Sequence, residues 1–183
     1  MTMRLDLSHL RQAETEFDRR YGPEAFAGDD AEFRVVAPVA LRMVIHKDQD
    51  RFRLVGTVST VLERACGRCL EPFAFPLERA FDLRYFPEGI SDTGSEPDEV
   101  ELDDEDVALS FYRDDAIDLR ELMREQFYLA LPMKPLCRPS CQGMCPQCGA
   151  NRNTETCDCE IRWEDPRLAG LKTFITNRKP DDA

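Results

Sequence analysis

Cysteine spacing constrains this chain more than any other feature of its sequence. The 183 residues include eight cysteines, six of them within twenty-three positions. They form four close pairs: Cys66/Cys69, Cys137/Cys141, Cys145/Cys148 and Cys157/Cys159. Clustered pairs in a cytosolic chain bind metal far more often than they form disulfides. We therefore predict that all eight are zinc ligands, with two ions favoured and one as the minimum.

The pair Cys145/Cys148 carries the most specific local pattern, Cys-Pro-Gln-Cys-Gly. Zinc in structural sites takes four ligands in a tetrahedron, with zinc–sulfur bonds of about 2.3 Å. Pro146 restricts its own φ angle, and Gly149 allows a left-handed turn that directs amide hydrogens toward the thiolates. The pattern is typical of a zinc knuckle.

Four pairs can share two metal ions in three ways. The favoured arrangement joins Cys145/Cys148 to Cys157/Cys159, since the loop between them is only eight residues long. Cys66/Cys69 then meets Cys137/Cys141. The main alternative places one metal on four of the last six cysteines and leaves the others as thiols.

Two other cysteine chemistries fit the sequence less well. A redox CxxC normally lies where a strand runs into a helix, whereas Cys66-Gly67-Arg68-Cys69 joins two strand-like runs. A rubredoxin-like iron site would repeat the knuckle in its second half, and Cys157-Asp158-Cys159 does not. A thiol redox protein therefore stays a weak alternative.

The charge of this chain is concentrated in one place. Its formal net charge is −12, and the segment from Glu88 to Glu121 alone holds fourteen acidic residues and two arginines. The rest of the chain is neutral overall, and no strong basic stripe of the kind that drives phosphate binding is present. We interpret residues 88–106 as a solvated acidic loop, with binding of a basic partner as the alternative.

Apolar periodicity predicts an α+β fold, namely an antiparallel β-meander or partial barrel with one main helix. Strands are expected over residues 4–10, 35–47, 52–62, 73–85 and 107–112, with a turn over residues 47–50 and a polar connector up to residue 30.

A helix is predicted over residues 118–131. Asp118 is a suitable N-cap with Glu121 three residues later, and Pro132 should end the helix. One face of this helix carries Leu119, Leu122, Met123, Gln126, Phe127 and Ala130. A second, short helix is expected from Asp165-Pro166.

These elements predict three parts of the chain. Residues 1–30 form an N-terminal strand and connector, residues 31–133 a β-rich body with the acidic loop and the main helix, and residues 134–178 a zinc-binding module with the terminal helix. The first ten residues form no apolar run, so we expect a cytoplasmic protein with no membrane partner. No P-loop, dinucleotide fingerprint or catalytic serine motif is found, so we expect neither an enzyme nor a small-molecule substrate.

Several of these motifs together resemble the YceD family of large ribosomal RNA subunit accumulation proteins. The resemblance covers roughly residues 39–174, and Met144 stands where the family has leucine. It rests on Cys66-Gly67-Arg68-Cys69 before Glu71-Pro72-Phe73, Leu129-Ala130-Leu131-Pro132, Pro135-Leu136-Cys137, the run from Cys141 to Gly149, Asn153, and Asp165-Pro166-Arg167-Leu168.

The resemblance implies a bacterial or organellar ribosome-biogenesis factor that supports the synthesis, processing or stability of large-subunit (23S) rRNA. Its partner would be this RNA, a pre-ribosomal particle or a basic ribosomal protein. Candidate contact residues are Arg138, Arg152, Arg162, Arg167, Lys172, Arg178 and Lys179. The alternative is a protein-only adaptor whose acidic loop binds a basic ribosomal or other protein.

Overall fold

A computed structural model describes residues 3–28, 32–88 and 109–160 of the chain. These residues divide into two compact units. The first unit comprises residues up to 67 and from 71 to 139, and the second comprises residues 68–70 and 140–160. The predicted terminal helix and residues 89–106 of the predicted acidic loop lie outside the described residues.

The first unit is mostly β-structure with one main helix, which confirms the predicted α+β class. Its strands are β1 (Arg4–Asp6), β2 (Glu14–Tyr21), β3 (Arg34–Val35), β4 (Val39–Asp48), β5 (Arg51–Ala65), β6 (Pro72–Pro87), β7 (Leu109–Tyr112) and β8 (Ala116–Asp118). A short 3-10 helix spans Pro23–Phe26, and α1 spans Leu119–Ala130. Strands β1 and β8 form a two-stranded sheet. The six-stranded main sheet has the order β2-β4-β5-β6-β7, with β3 also paired to β5.

The predicted meander is formed by β4, β5 and β6, which pair antiparallel in chain order. The first turn lies at residues 49–50, as predicted, and Gln49 adopts a positive φ of 53° there. Leu41 lies opposite Val58 and Ile45 opposite Leu54. All four are fully buried or nearly so, because alternate residues of these strands face the same side of the sheet.

Two parts of the sheet differ from the sequence prediction. The connector interpretation is wrong for Glu14–Tyr21, which forms edge strand β2 against β4. An edge strand pairs on one side only and needs just one partly covered face. In β2 the half-buried Phe17 and Tyr21 cover that face, so the alternation of apolar and polar residues in the sequence is weak. The run predicted over residues 35–47 splits into β3 and β4 around Pro38, which has no amide hydrogen for a ladder.

Helix α1 begins at its predicted cap and covers part of the core. The Asp118 carboxylate accepts hydrogen bonds from the amides of Arg120 and Glu121, at 2.9 and 3.2 Å. The helix contacts β6 and β1. Phe127 is fully buried, with its ring centroid 5.6 Å from that of Phe26 and 6.0 Å from that of Phe33.

One charged side chain crosses the apolar face between sheet and helix. Arg79 of β6 lies opposite Val58, and its Nε donates to the buried Gln126 Oε1 at 3.1 Å. This bond satisfies the amide oxygen that the helix buries, which explains how a polar residue can occupy the apolar face. Within the described residues, no helix has the length and apolar character needed to cross a membrane.

We expect Phe127→Ala to lower the free energy of unfolding by about 3 to 5 kcal/mol, because it leaves a large cavity under α1. Urea unfolding of the metal-loaded protein, followed by circular dichroism, measures this change. Phe111→Ala is the matched control, since Phe111 is 63% exposed and its removal should change stability by less than about 0.5 kcal/mol. Equal effects of the two substitutions would contradict the position of Phe127 in the core.

Candidate metal centres

The first cysteine pair lies at the turn between the two longest strands. Strand β5 ends at Ala65 and β6 begins at Pro72, and the Cys66 amide donates to the Glu71 carbonyl oxygen at 2.9 Å. The pair therefore occupies a strand-to-strand reversal, as predicted. A helix terminus that could activate a redox thiol does not follow it, since the next element along the chain is β6.

Backbone hydrogen bonds bring the segment after α1 to this turn. The Gly67 amide donates to the Pro135 carbonyl oxygen at 2.8 Å, and the Cys137 amide donates to Cys66 Sγ at 3.4 Å. A Cβ on residue 67 would lie 3.3 Å from the Pro135 oxygen, a tight approach that glycine avoids. An amide that donates to sulfur stabilises the thiolate form, which is the form that binds metal.

The Cys-Pro-Gln-Cys-Gly segment of the second unit has the knuckle geometry expected from its sequence. Gly149 adopts a φ of +76°, and its amide donates to the Cys145 carbonyl oxygen at 2.9 Å. The Cys145 amide in turn donates to the Ala150 carbonyl oxygen at 2.8 Å. Gly143 has the same positive φ, +76°, before the knuckle, so both predicted bends are present.

Among the described residues, two groups of four cysteines have all their ligand atoms within 4.8 Å of one another. The first tetrad is Cys66, Cys69, Cys137 and Cys141, and the second tetrad is Cys145, Cys148, Cys157 and Cys159. This is the grouping that the loop lengths favoured.

The spacing of the sulfur atoms fits a tetrahedral metal centre. Four thiolates around zinc, with bonds of about 2.3 Å, place the sulfur atoms about 3.8 Å apart. Both tetrads are compatible with this spacing, since none of their sulfur–sulfur distances exceeds 4.8 Å. Each tetrad could hold one metal ion, with four sulfur ligands and no position left for water.

Local hydrogen bonds favour a thiolate in the second tetrad. The backbone amides of Cys148 and Gln147 lower the pKa of Cys145 to about 6. Hydrogen bonding to the neighbouring sulfurs raises the pKa of Cys157, through Cys145, and that of Cys159, chiefly through Cys148. The site thus combines Cys145, which ionises easily, with thiols that form hydrogen bonds to the neighbouring sulfurs. A dipositive ion would stabilise this arrangement.

Asn153 lies in the loop of the second tetrad and contacts a ligand of the first. Its Nδ2 donates to Cys141 Sγ at 3.4 Å and to Asn151 Oδ1 at 2.8 Å, and its Oδ1 accepts from the Gln142 amide at 2.9 Å. The sequence marked Asn153 only as part of the family resemblance. The structure gives it a physical role, because hydrogen bonds to a ligand fix its orientation and moderate its charge.

Arg68 is a second residue that sequence reasoning missed. Its guanidinium donates to the Cys141 carbonyl oxygen at 2.9 Å, and its own carbonyl accepts from the Met144 amide at 3.0 Å. The available signal was its position between two cysteine ligands. Arg68 therefore braces the segment that carries Cys141.

Only two of the predicted RNA or partner contacts lie in the described residues. Arg138 and Arg152 are both exposed. The other five, Arg162, Arg167, Lys172, Arg178 and Lys179, lie outside the described residues.

Comparison with known proteins assigns the family. The family model described as "Large ribosomal RNA subunit accumulation protein YceD" matches residues 54–175. This chain belongs to the YceD family. No solved structure matches it significantly.

Curated relatives come from bacteria and from chloroplasts. An uncharacterised protein of Mycobacterium tuberculosis H37Rv is 35% identical over 125 residues, or 67% of this chain and 55% of the relative. The maize protein named large ribosomal RNA subunit accumulation protein YCED homolog 1, chloroplastic, is 31% identical over 68% of this chain and 50% of its own length. The Arabidopsis thaliana protein of the same name is 28% identical over 70% of this chain and 46% of its own length. The chain spans about half the length of the curated relatives it matches.

We expect Asn153→Ala to weaken metal binding at the first tetrad by about 10- to 100-fold, because Cys141 loses its side-chain hydrogen-bond donor. Cobalt(II) titration, followed by sulfur-to-cobalt absorption in competition with a chelator, measures the affinity. Thr156→Ala is the control, since Thr156 is exposed in the same loop and should leave both affinities unchanged. Identical titrations for the two variants would show that Asn153 has no role in metal binding.

Proposed function

We propose that this protein is a ribosome-biogenesis factor that supports the synthesis, processing or stability of large-subunit (23S) rRNA. Membership of the YceD family carries the proposal, and the names of the maize and Arabidopsis relatives agree with it. It acts where ribosomes are built, which is the cytoplasm in a bacterium. Its role is to bind rather than to catalyse.

The eight cysteines hold two zinc ions in this proposal, one in each tetrad. Four thiolates suit zinc, and a centre with four protein ligands leaves no open position for substrate, so the ions act structurally. Binding of structural zinc contributes on the order of 10 kcal/mol to the folding of small modules. Residues 134–178 are then the zinc-binding module, and its described part, residues 134–160, is held in shape by metal rather than by a large apolar core.

The metal centres also order the chain around possible contact residues. Arg138 lies one residue after Cys137, and Arg152 lies in the loop between Cys148 and Cys157. Both are exposed, and both follow backbone that the cysteines constrain. A side chain on constrained backbone loses less entropy on binding, so these two arginines are proposed contacts to RNA or to a partner protein.

One observation favours the alternative, a protein-only adaptor for a basic partner. A cavity of about 520 Å³ in the first unit is lined by four carboxylates and two arginines, namely Glu88, Asp118, Glu121, Glu125, Arg4 and Arg113. Arg113 is paired with Glu88. Burial, and then the neighbouring charge of Glu121, raise the pKa of Glu125. A lysine or arginine side chain entering this cavity would relieve the repulsion between Glu121 and Glu125.

The decisive experiment is depletion of the protein in its own cells, with the ratio of large-subunit to small-subunit rRNA as the readout. We expect the ratio to fall and the wild-type gene to restore it. A Cys145→Ser/Cys148→Ser variant should fail to restore it, because the second tetrad loses two ligands. Met144→Leu is the matched control within the same segment and should restore it fully.

The accumulated level of each variant is measured beside the rRNA ratio, so that loss of function is distinguished from loss of protein. An unchanged ratio on depletion would reject the proposed function. Salt-sensitive capture of a basic ribosomal protein, with no RNA crosslinked to this chain, would favour the adaptor instead.

A further inference from the structure

A second cavity of the first unit has the opposite character to the acidic one. Its volume is about 770 Å³, and β1, the end of β2, the 3-10 helix and the start of α1 form its walls. Four arginines line it: Arg4, Arg19, Arg20 and Arg120. They come from three distant parts of the sequence, since only Arg19 and Arg20 are neighbours, and the fold alone brings these parts to one place.

The charges of the lining favour an anion. Two carboxylates, Glu24 and Asp118, accompany the four arginines, which leaves an excess of positive charge in a chain whose net charge is −12. Asp118 is already engaged as the cap of α1, where it accepts two backbone hydrogen bonds. Glu24 is the remaining acidic group of the lining.

Several exposed arginines elsewhere in the first unit form ion pairs with carboxylates. Arg34 pairs with Glu63 at 2.6 Å, and Arg42 with Asp18 at 3.3 Å. Three cavity arginines behave differently. Arg4, Arg19 and Arg20 are exposed and form no ion pair within the described part of the chain. No described carboxylate therefore lies within ion-pairing distance of these three guanidinium groups, and Arg4 is shared with the acidic cavity, which it also lines.

An aromatic residue lies beside these charges. Tyr21 lines the cavity and is half-buried at the end of β2. Burial raises the pKa of Tyr21, and the Arg19 charge partly opposes this rise, so its hydroxyl keeps its proton at neutral pH and can donate. Arginine next to an aromatic ring is the combination with which proteins hold a nucleic-acid backbone while a base stacks beside it.

We propose that this arginine-lined cavity binds backbone phosphates of RNA. The inference rests on the proposed function and deepens it, since it adds an RNA contact in the first unit to the contacts proposed for Arg138 and Arg152. Guanidinium groups match phosphate oxygens in a two-pronged geometry and keep their charge at any physiological pH. The volume lies within the range of sites that hold small organic ligands, which is enough for a phosphate and its adjoining nucleotide.

An acidic protein is a less suitable occupant. Carboxylates also pair with guanidinium groups, but a carboxylate side chain makes no use of the Tyr21 ring. The test therefore includes an acidic polypeptide as a competitor beside the RNA.

The test uses the full-length, zinc-loaded protein and a short, fluorescein-labelled oligouridylate, with binding followed by fluorescence anisotropy. We expect Arg19→Gln and Arg20→Gln each to weaken binding by about fivefold or more. Each should also lower the slope of log affinity against log salt by about 1, because one phosphate contact is lost. Glu24→Gln should strengthen binding, since it removes the opposing charge.

Arg11→Gln is the matched control. Arg11 is exposed and does not line the cavity, and the substitution removes the same charge, so only a small loss is expected. Circular dichroism and zinc content are measured for every variant, and the exposed positions of Arg19 and Arg20 favour normal folding.

Four results would overturn the inference: no RNA binding by the wild type, equal losses for Arg11→Gln and the cavity variants, normal binding by a folded Arg19→Gln/Arg20→Gln protein, or displacement of RNA by polyglutamate at equal charge concentration. Normal RNA binding by that double variant, with a fallen rRNA ratio on depletion, would remove the cavity and leave the proposed function intact. An unchanged rRNA ratio on depletion, together with RNA binding that depends on the cavity arginines, would reject the proposed function and leave the cavity inference intact.

Discussion

The long antiparallel pairing of β5 with β6 is the constraint on which the first unit depends. It runs from Phe52 opposite Tyr85 to Ala65 opposite Pro72, and its register decides which side chains face the core. Strand β4 pairs with the free edge of β5, β7 pairs with β6, and α1 packs on β6. The turn of the same hairpin carries Cys66, so the first candidate metal ligand directly follows the end of β5.

The apolar core and the knuckle segment are ordered by different interactions. Strands β4 to β6 and α1 bury Leu41, Leu54 and Phe127 almost completely, so burial of apolar surface stabilises the first unit. The knuckle segment has no comparable apolar side chains, and its order comes from turns, from bonds such as Gly149 to Cys145, and from the arrangement of its sulfurs. A chain that cannot bury enough apolar surface locally commonly relies on metal for stability.

The fold also places groups of opposite charge in different cavities. Most of the net negative charge comes from one stretch of sequence, yet two cavities that share Arg4 and Asp118 in their linings differ in the sign of their remaining charges. Glu121 and Glu125 line one, whereas Arg120 lines the other with Arg19 and Arg20. A net charge of −12 therefore says little about what the surface can bind, because binding responds to the field at one site rather than to the sum over the molecule.

Short-range chemistry alone determined much of this protein. The strands of the meander, the Asp118 cap, the end of α1 at Pro132 and the bends at Gly143 and Gly149 all depend on residues within a few positions of one another, so their patterns can be read directly. Edge strand β2, the parallel pairing of β7 and the bond from Asn153 to Cys141 were decided by tertiary structure. So was the meeting of Arg4, Arg19 and Arg120 in one cavity. These features join residues that are distant in sequence, and only the register of the sheet and the packing of α1 bring them together.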